Sequence, residues 1–505
     1  MNRSNYTILF FTALKLFTHL FTNTQYALHR DEYLYFDQGN HLAWGFMEVP
    51  PMTPFLGMLA GWLGGSVFAI RLLPAIAGTI TIFLLGHLVK DLGGKAWAIG
   101  IACTAFLISP AYLGSNSLFQ PVSFNQFCWF LMAFFLIKAI RKEAHRYWYI
   151  LGIVAGLGFL TKYSIVFYAF DLFLGLLLTK ERKWLGKPYP YIALAIALLL
   201  ALPHLFWQYE QGFPVVRHMQ ELRETQLVHV SASHFLLSQL QFHFAAALVW
   251  ITGLVALFVH APFKPYRFLG IAFLACLAVI LFFSGKAYYT IGAFTVLFAF
   301  GGLALAQWLK KTAYQIALLA VMVFANSGVA PYFLPLLPVE QMAAYCQFMV
   351  DTYGLEAPLR WEDGQYHKLP QDIADMHGWE EMVQKVSKIY HTLPEDKKAT
   401  CQLFGGSYGH AGALNYFRDK YQLPEAYSFN SSYMLWAPEQ VSFDNQIMVD
   451  DQFYTTSSWF DQIQLVDSIS HPYAREKGYI YYRSEPKVDI QITWTEVLEQ
   501  VRAGE

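Results

Sequence analysis

Charge is what this chain has least of. Asp, Glu, Lys and Arg make up 14% of its 505 residues, against roughly a quarter in an ordinary soluble domain, which excludes an ordinary soluble enzyme. The net charge is −1, so no overall basic field invites nucleic acid, and none is expected as a partner. Cysteine is scarce as well. The five thiols, Cys103, Cys128, Cys276, Cys346 and Cys401, have no CxxC spacing, and three lie in apolar stretches where a thiol acts as a small hydrophobe; a disulfide framework and a zinc site are both excluded. The histidines show no HExxH or HxxxH spacing, so no metal ligand is assigned and no cofactor is expected; sequence gives no support for a divalent metal.

What the chain has is apolar residues, 55% of the total, gathered into long runs. Segments able to cross a ~30 Å hydrocarbon core lie at residues 6–22, 66–90, 95–113, 121–140, 188–207, 235–258, 266–283, 288–308 and 312–332. The stretch 148–180 is too long for one crossing and is interrupted by Thr161-Lys162-Tyr163-Ser164, which predicts two short helices with a charged elbow. The expected fold is therefore a polytopic α-helical membrane protein with about eleven transmembrane helices. Met1-Asn2-Arg3 and the apolar run behind it lack a small-residue cleavage site and read as the first of these helices.

Lys90/Lys95, Arg141/Lys142/Arg146, Lys180/Arg182/Lys183/Lys187, Lys264/Arg267 and Lys310/Lys311 fall in alternate connections. By the positive-inside rule these face the cytoplasm. The expectation is a multi-pass protein of the cytoplasmic (inner) membrane, with the connections at 23–65, 114–120, around Lys162, 208–234 and 284–287 on the outer face. Everything after Pro335 joins them there. Two domains are expected: a transmembrane part over 1–335, with helices lying in the interface over about 31–65, and a small extracytoplasmic α/β domain over 339–505. In the latter, Gly378-Trp379-Glu380-Glu381 opens an amphipathic helix ending near Leu393-Pro394, Cys401-Gln402-Leu403-Phe404 reads as a strand, and Gly405 to Ala413 leads into a second helix. Further strands are expected at Gln446 to Val449 and Gly478 to Arg483, with a last helix from about Thr495.

Against so apolar a background the remaining charges stand out by position. His29-Arg30-Asp31-Glu32-Tyr33-Leu34-Tyr35 follows the first span directly. A carboxylate held where water is limited but an acceptor hydroxyl can approach suits a general base, which makes Asp31 and Glu32 the catalytic candidates. The plainer alternative is a pair of first-turn acids favouring a helix dipole. His29, Arg30, Asp37 and Glu48 read as ordinary interfacial charges. Lys162 and Lys286, the latter in Ser284-Gly285-Lys286-Ala287-Tyr288-Tyr289, lie at outer ends of apolar spans against the positive-inside pattern, which suits a lipid-linked phosphate; snorkelling to headgroups is the alternative. His204, at the outer end of its span, is the histidine placed for substrate contact. The Gly405 to Ala413 turn carries neither a P-loop ending nor a GxGxxG order, so close packing of helix on strand accounts for it better than phosphate binding.

Asp31-Glu32 after the first span, Pro50-Pro51-Met52-Thr53-Pro54, Arg71-Leu72-Leu73-Pro74, Gly156-Leu157 through Thr161-Lys162, and Ser284-Gly285-Lys286 with Tyr288-Tyr289 resemble the GT-C glycosyltransferases of the protein-mannosyltransferase and aminoarabinose-transferase type, glycosyltransferase family 39 and its relatives. The C-terminal stretch, with Gly378-Trp379-Glu380, Ser407-Tyr408-Gly409 and Ala411-Gly412-Ala413, is similar to the extracytoplasmic module of many bacterial members. The resemblance implies transfer of a hexose or pentose from a polyprenyl-phosphate donor to a protein, lipid A or glycan acceptor on the outer face, by an inverting displacement. It maps the first-loop acid onto Asp31, with Glu32 beside it, and donor-phosphate contacts onto Lys162, Lys286, Tyr288 and Tyr289. One departure concerns the second acid that relatives carry before the fourth span. Here Gln120 and Asn125 occupy that region; they can hydrogen-bond, Gln120 as a substrate contact, but cannot act as a carboxylate base or strong metal ligand. The alternative function, a membrane transporter or lipid-linked sugar flippase, calls for ionisable residues near the midplane and paired broken helices.

Overall fold

The computed structural model describes residues 2–225 and 227–503. The chain forms two compact units, one made of Met1–Asn23, Val49–Thr53 and Phe68–Leu334, the other of Thr24–Glu48, Pro54–Val67 and Pro335–Glu505.

The first unit is helical. Among the described residues five helical segments are long and apolar enough to cross a membrane: Val67–Asp91, Pro121–Lys142, Tyr189–Glu210, Ala261–Phe282 and Ala287–Trp308. A sixth span results if Ala232–Gln241 and Phe244–Val259, bent by 88°, count as one. Other apolar runs among the about eleven read from the sequence form shorter apolar helices, Ala96–Ile108, Ile165–Leu177 and Thr312–Ser327. The 148–180 stretch forms helices Arg146–Phe159 and Ile165–Leu177 around the Lys162 elbow, as expected. The 95–113 run breaks at Ser109 before Pro110, leaving the 13-residue helix Ala96–Ile108, only about 20 Å long at 1.5 Å per residue. The 208–234 connection contains helix Pro214–Thr225; Gln226 lies outside the described residues.

Small residues let these helices close on one another. Helices Ala247–Val259 and Phe294–Trp308 meet where a Cβ on Gly253 would strike the Leu297 carbonyl and one on Gly301 the Val249 carbonyl, the usual device where lipid offers no hydrophobic driving force. Large apolar side chains such as Phe282 and Phe324 remain exposed on this unit. Among the described residues, the charged side chains of Lys15, Arg71, Asp171 and Glu181 are buried inside it. Lys15 Nζ donates to the Tyr112 carbonyl at 2.9 Å, and Arg71 Nη1 donates to the Asn23 carbonyl at 2.9 Å; both cations satisfy helix backbone, a structural use of buried charge.

The second unit holds a five-stranded sheet. Strands β1 (Cys401–Gly405), β2 (Ala426–Tyr427), β3 (Asn445–Asp450), β4 (Phe460–Asp467) and β5 (Tyr479–Pro486) are ordered β2-β1-β3-β5-β4. β1 pairs in parallel with β2 and β3, while β5 runs antiparallel to β3 and β4. Strands β1, β3 and β5 and helices Trp379–Thr392 and Tyr408–Tyr421 match the sequence expectation. Helix Ile490–Ala503 begins five residues earlier than Thr495 and seats Trp494 in the core.

Most of the first connection, Thr24–Glu48 and Pro54–Val67, also belongs to this unit. Helix Arg30–Asn40 is followed by helix Met52–Trp62, which starts after Pro50-Pro51 and stops before Gly64 and Gly65, both at positive φ. The two pack so closely that a Cβ on Gly39 would lie 2.5 Å from Met58 N.

Candidate active site

Helix Arg30–Asn40 carries the acidic block, and its first turn is closed by a reciprocal cap. His29 Nδ1 accepts from Asp31 N at 3.1 Å, while the Glu32 carboxylate accepts from His29 N at 2.8 Å. Glu32 is fully buried, so its negative charge satisfies an orphan helix N–H and fixes the start of the helix. The Asp31 side chain keeps 28% of its surface exposed. It is the carboxylate of the pair that a substrate can reach.

Asp31 is held from a distant part of the sequence. Tyr408 Oη, 377 residues away, donates to Asp31 Oδ1 at 2.8 Å, and the Tyr408 ring stacks on the Arg30 guanidinium with 4.7 Å between the charge centre and the ring. Burial and the neighbouring Asp31 push the Tyr408 hydroxyl well above its ordinary range, so it stays protonated and donates.

Tyr408 opens helix Tyr408–Tyr421, capped by Ser407, whose hydroxyl accepts from His410 N. Two turns further on, Asn415 Nδ2 donates to Asp37 Oδ2 at 2.9 Å, and Asp37 also accepts from Tyr433 Oη at 2.7 Å. The helix therefore runs beside helix Arg30–Asn40 in the same sense, bonded to it near both ends. Glycine permits the approach between them. A Cβ on Gly409 would lie 2.9 Å from the Trp379 ring, and one on Gly412 would lie 2.8 Å from Tyr33 Cβ and 3.0 Å from the Tyr433 hydroxyl. Glu48 is half-buried and accepts from Gln38 Nε2 at 2.9 Å, Ser432 N at 2.9 Å and the hydroxyls of Ser431 and Ser432. The sequence assigned Asp37 and Glu48 to an interfacial surface; their carboxylates instead tie the first connection to the C-terminal segment.

Behind Asp31 lies a second tier of charge. His29 Nε2 lies 3.5 Å from Asp375 and 3.9 Å from Asp372, and Nδ1 lies 4.0 Å from Asp31 Oδ2. The cap bond belongs to the neutral ring. Burial opposes a second proton on His29, but the bond to Asp375 and the charges of Asp31, Asp375 and Asp372 outweigh it and hold the pKa up at about 9, so protonation proceeds at the expense of the cap. Burial works against the Asp375 carboxylate too, and His29, Arg475 and Arg30 more than offset it, keeping its pKa below the ordinary range. Arg475 Nη1 donates to Asp375 at 2.9 Å and Arg30 Nη1 to Glu476 at 2.9 Å. Glu476, through burial and the adjacent Asp451, is pushed up to about 8, while His410 and the Glu476 proton keep Asp451 ionised. Among the described residues no group of three or more His, Cys, Asp or Glu side chains is arranged to hold a metal ion.

The other candidates sit in the helical unit. The Lys162 ammonium lies 5.1 Å from the Tyr288 ring and 4.8 Å from the Tyr289 ring, so three of the four expected phosphate contacts form one cluster. Lys286 is half-buried at the N-cap of the 3₁₀ turn Ala287–Ala293 that carries both tyrosines. Next to Lys162, Tyr163 Oη bonds His204 Nε2 at 2.8 Å and accepts from Gln208 Nε2 at 3.1 Å; His204 is fully buried. Gln120 is half-buried at the N-cap of Pro121–Lys142, and Asn125 Nδ2 donates to Ser164 Oγ at 2.9 Å.

Sequence reasoning missed Tyr408 as a partner of Asp31, and Asp375, Arg475 and Glu476 in the charge network around His29 and Arg30. The one local signal was the Gly405 to Ala413 stretch. Its glycines serve close packing, and part of that packing is against the helix of Asp31.

Residues 48–207 match the family model for dolichyl-phosphate-mannose-protein mannosyltransferase. This range includes Lys162, Gln120 and His204 and stops short of Asp31 and Lys286. The lipid A galacturonosyltransferase RgtD of Rhizobium johnstonii is 26% identical over 225 residues, 43% of this chain and 45% of that protein, so the match spans less than half of the relative's length. ArnT from Cupriavidus metallidurans, solved with undecaprenyl phosphate bound, superimposes with a TM-score of 0.63 at 14% identity, covering 94% of this chain and 97% of that one. The archaeal oligosaccharyltransferase AglB from Archaeoglobus fulgidus, solved with an inhibitory peptide and a dolichol-phosphate, gives 0.51 at 11% identity over 88% of this chain and 69% of that one. The chain has the GT-C fold of ArnT, a helical membrane unit with a small sheet-bearing unit, and the resemblance read from its motifs to glycosyltransferases of the protein-mannosyltransferase and ArnT type holds in both sequence and fold.

Proposed function

We propose that this protein is a glycosyltransferase that moves a sugar from a polyprenyl-phosphate donor to an acceptor on the extracytoplasmic face of the inner membrane. The observation that carries this reading is a reachable carboxylate, Asp31, held by a tyrosine hydroxyl in a chain with the fold of ArnT. The acceptor hydroxyl oxygen attacks the anomeric carbon as the bond from that carbon to the phosphate oxygen breaks, and the phosphate leaves with the electron pair. Asp31 takes the acceptor proton. Lys162 and Lys286 receive the developing negative charge, and the faces of Tyr288 and Tyr289 hold the Lys162 ammonium in place. Glu32 fixes the helix terminus on which Asp31 sits. His204, through Tyr163, and Gln120 contact the substrate. The acceptor is a protein hydroxyl, lipid A or another glycan, and the C-terminal domain lies outside the membrane.

Mass spectrometry of membrane lipids and envelope proteins, with and without this protein, tests the reading. Loss of the protein should leave one polyprenyl-phosphate-linked hexose or pentose accumulated and the same sugar missing from one envelope product. Unchanged lipid-linked sugars and unchanged envelope glycans would contradict it.

A further inference from the structure

Resting on the reading of Asp31 as the base, we propose that Tyr408 is a positioning residue for that base, so that the C-terminal segment supplies part of the active site. The carboxylate must point one oxygen at an incoming hydroxyl, and an aspartate at an exposed helix start has two free torsions with which to miss it. Tyr408 removes that freedom: its hydroxyl holds Oδ1 at 2.8 Å while its ring is clamped against Arg30. The tyrosine is itself held, because its helix is bonded again at Asn415 to Asp37 and seated against Arg30 and Tyr33 through Gly409 and Gly412. Asp31 is thereby oriented through Oδ1.

The test uses the full-length protein in lipid nanodiscs, with a lipid extract of native membranes as the donor source and release of polyprenyl phosphate followed by mass spectrometry. Tyr408→Phe keeps the ring on Arg30 and removes only the hydroxyl. A hydrogen bond to a carboxylate supports roughly a tenfold effect or more. The expected result is about a tenfold fall in kcat, with the donor concentration at half-maximal rate and the melting temperature unchanged. Asn415→Leu breaks the other bond of the helix pair and leaves the Tyr408 hydroxyl in place; it should lower the melting temperature and reduce turnover per folded molecule less than Tyr408→Phe does. Turnover of Tyr408→Phe equal to wild type, or a fall matched by lost folded protein, overturns the positioning role. Asp31→Asn run beside it separates the two ideas. If Asp31→Asn is inactive and Tyr408→Phe is normal, the positioning role alone falls; if Asp31→Asn is fully active, the base assignment falls first.

Discussion

Gly412→Ala puts the packing beneath Asp31 under direct stress. The added methyl would lie 2.8 Å from Tyr33 Cβ and 3.0 Å from the Tyr433 hydroxyl that bonds Asp37. One neighbour belongs to helix Arg30–Asn40 and the other holds it, so the helices must separate by several tenths of an ångström. Overpacking of this kind costs about 1–3 kcal/mol, and replacing a helical glycine by alanine returns roughly 0.5–1 kcal/mol. The expected net loss is about 1–2 kcal/mol, a fall in melting temperature of roughly 2–8 °C for a unit of this size. Gly61→Ala is the internal control. It lies in helix Met52–Trp62 of the same unit, where a Cβ would meet the Phe36 ring at 3.8 Å, an ordinary contact, so only the helical gain remains. Protease resistance of the second unit against temperature, in detergent-purified protein, reads both. Opposite signs are expected; Gly412→Ala raising stability as much as Gly61→Ala would refute the packing argument.

Two further outcomes follow from the charges. Glu476 binds its proton more tightly folded (about 8) than its ordinary 4.5, and His29 does so at about 9 against 6.5. For His29 the stabilisation is fully present below pH 6.5 and lost as pH rises through 9; for Glu476, ionisation of the buried acid erodes stability between pH 4.5 and 8. Melting temperature should decline from pH 5 to 9, with Glu476→Gln flattening the lower part and His29→Gln the upper, and parallel curves for all three proteins would contradict this. Lys162→Met and Lys286→Met keep an apolar stem and delete a charge worth about 1.5–3 kcal/mol in a charge-assisted bond, so donor binding should weaken tenfold or more. A match to the control Lys310→Met would mean that Lys162 and Lys286 do not hold the donor phosphate.

The helices were legible because apolar runs leave little choice in a membrane, and Thr161-Lys162-Tyr163-Ser164 marked the break between Arg146–Phe159 and Ile165–Leu177. Strands β1, β3 and β5 announced themselves through buried apolar residues. β4 did not: apart from Phe460 it is largely exposed, and an edge strand without an apolar run carries no periodic signal. β2 is two residues long. Asp31 was legible as a carboxylate out of place in an apolar chain, but its surroundings were not. Tyr408 reaches it, and Asp375 and Glu476 reach its neighbours His29 and Arg30, across hundreds of residues, where no spacing rule applies, and Asp37 and Glu48 looked like surface charge because their serine, tyrosine and asparagine partners are equally remote.

The most direct test of the account is turnover by Asp31→Asn in purified full-length protein, with release of polyprenyl phosphate from a native-membrane lipid extract as the readout. The substitution keeps size and the ability to accept from Tyr408 but removes the base. Removing a general base costs about 10²–10⁴-fold in rate, and a loss in that range, with insertion and melting temperature unchanged, is the predicted result. Turnover within about threefold of wild type, well short of that range, would contradict the central claim.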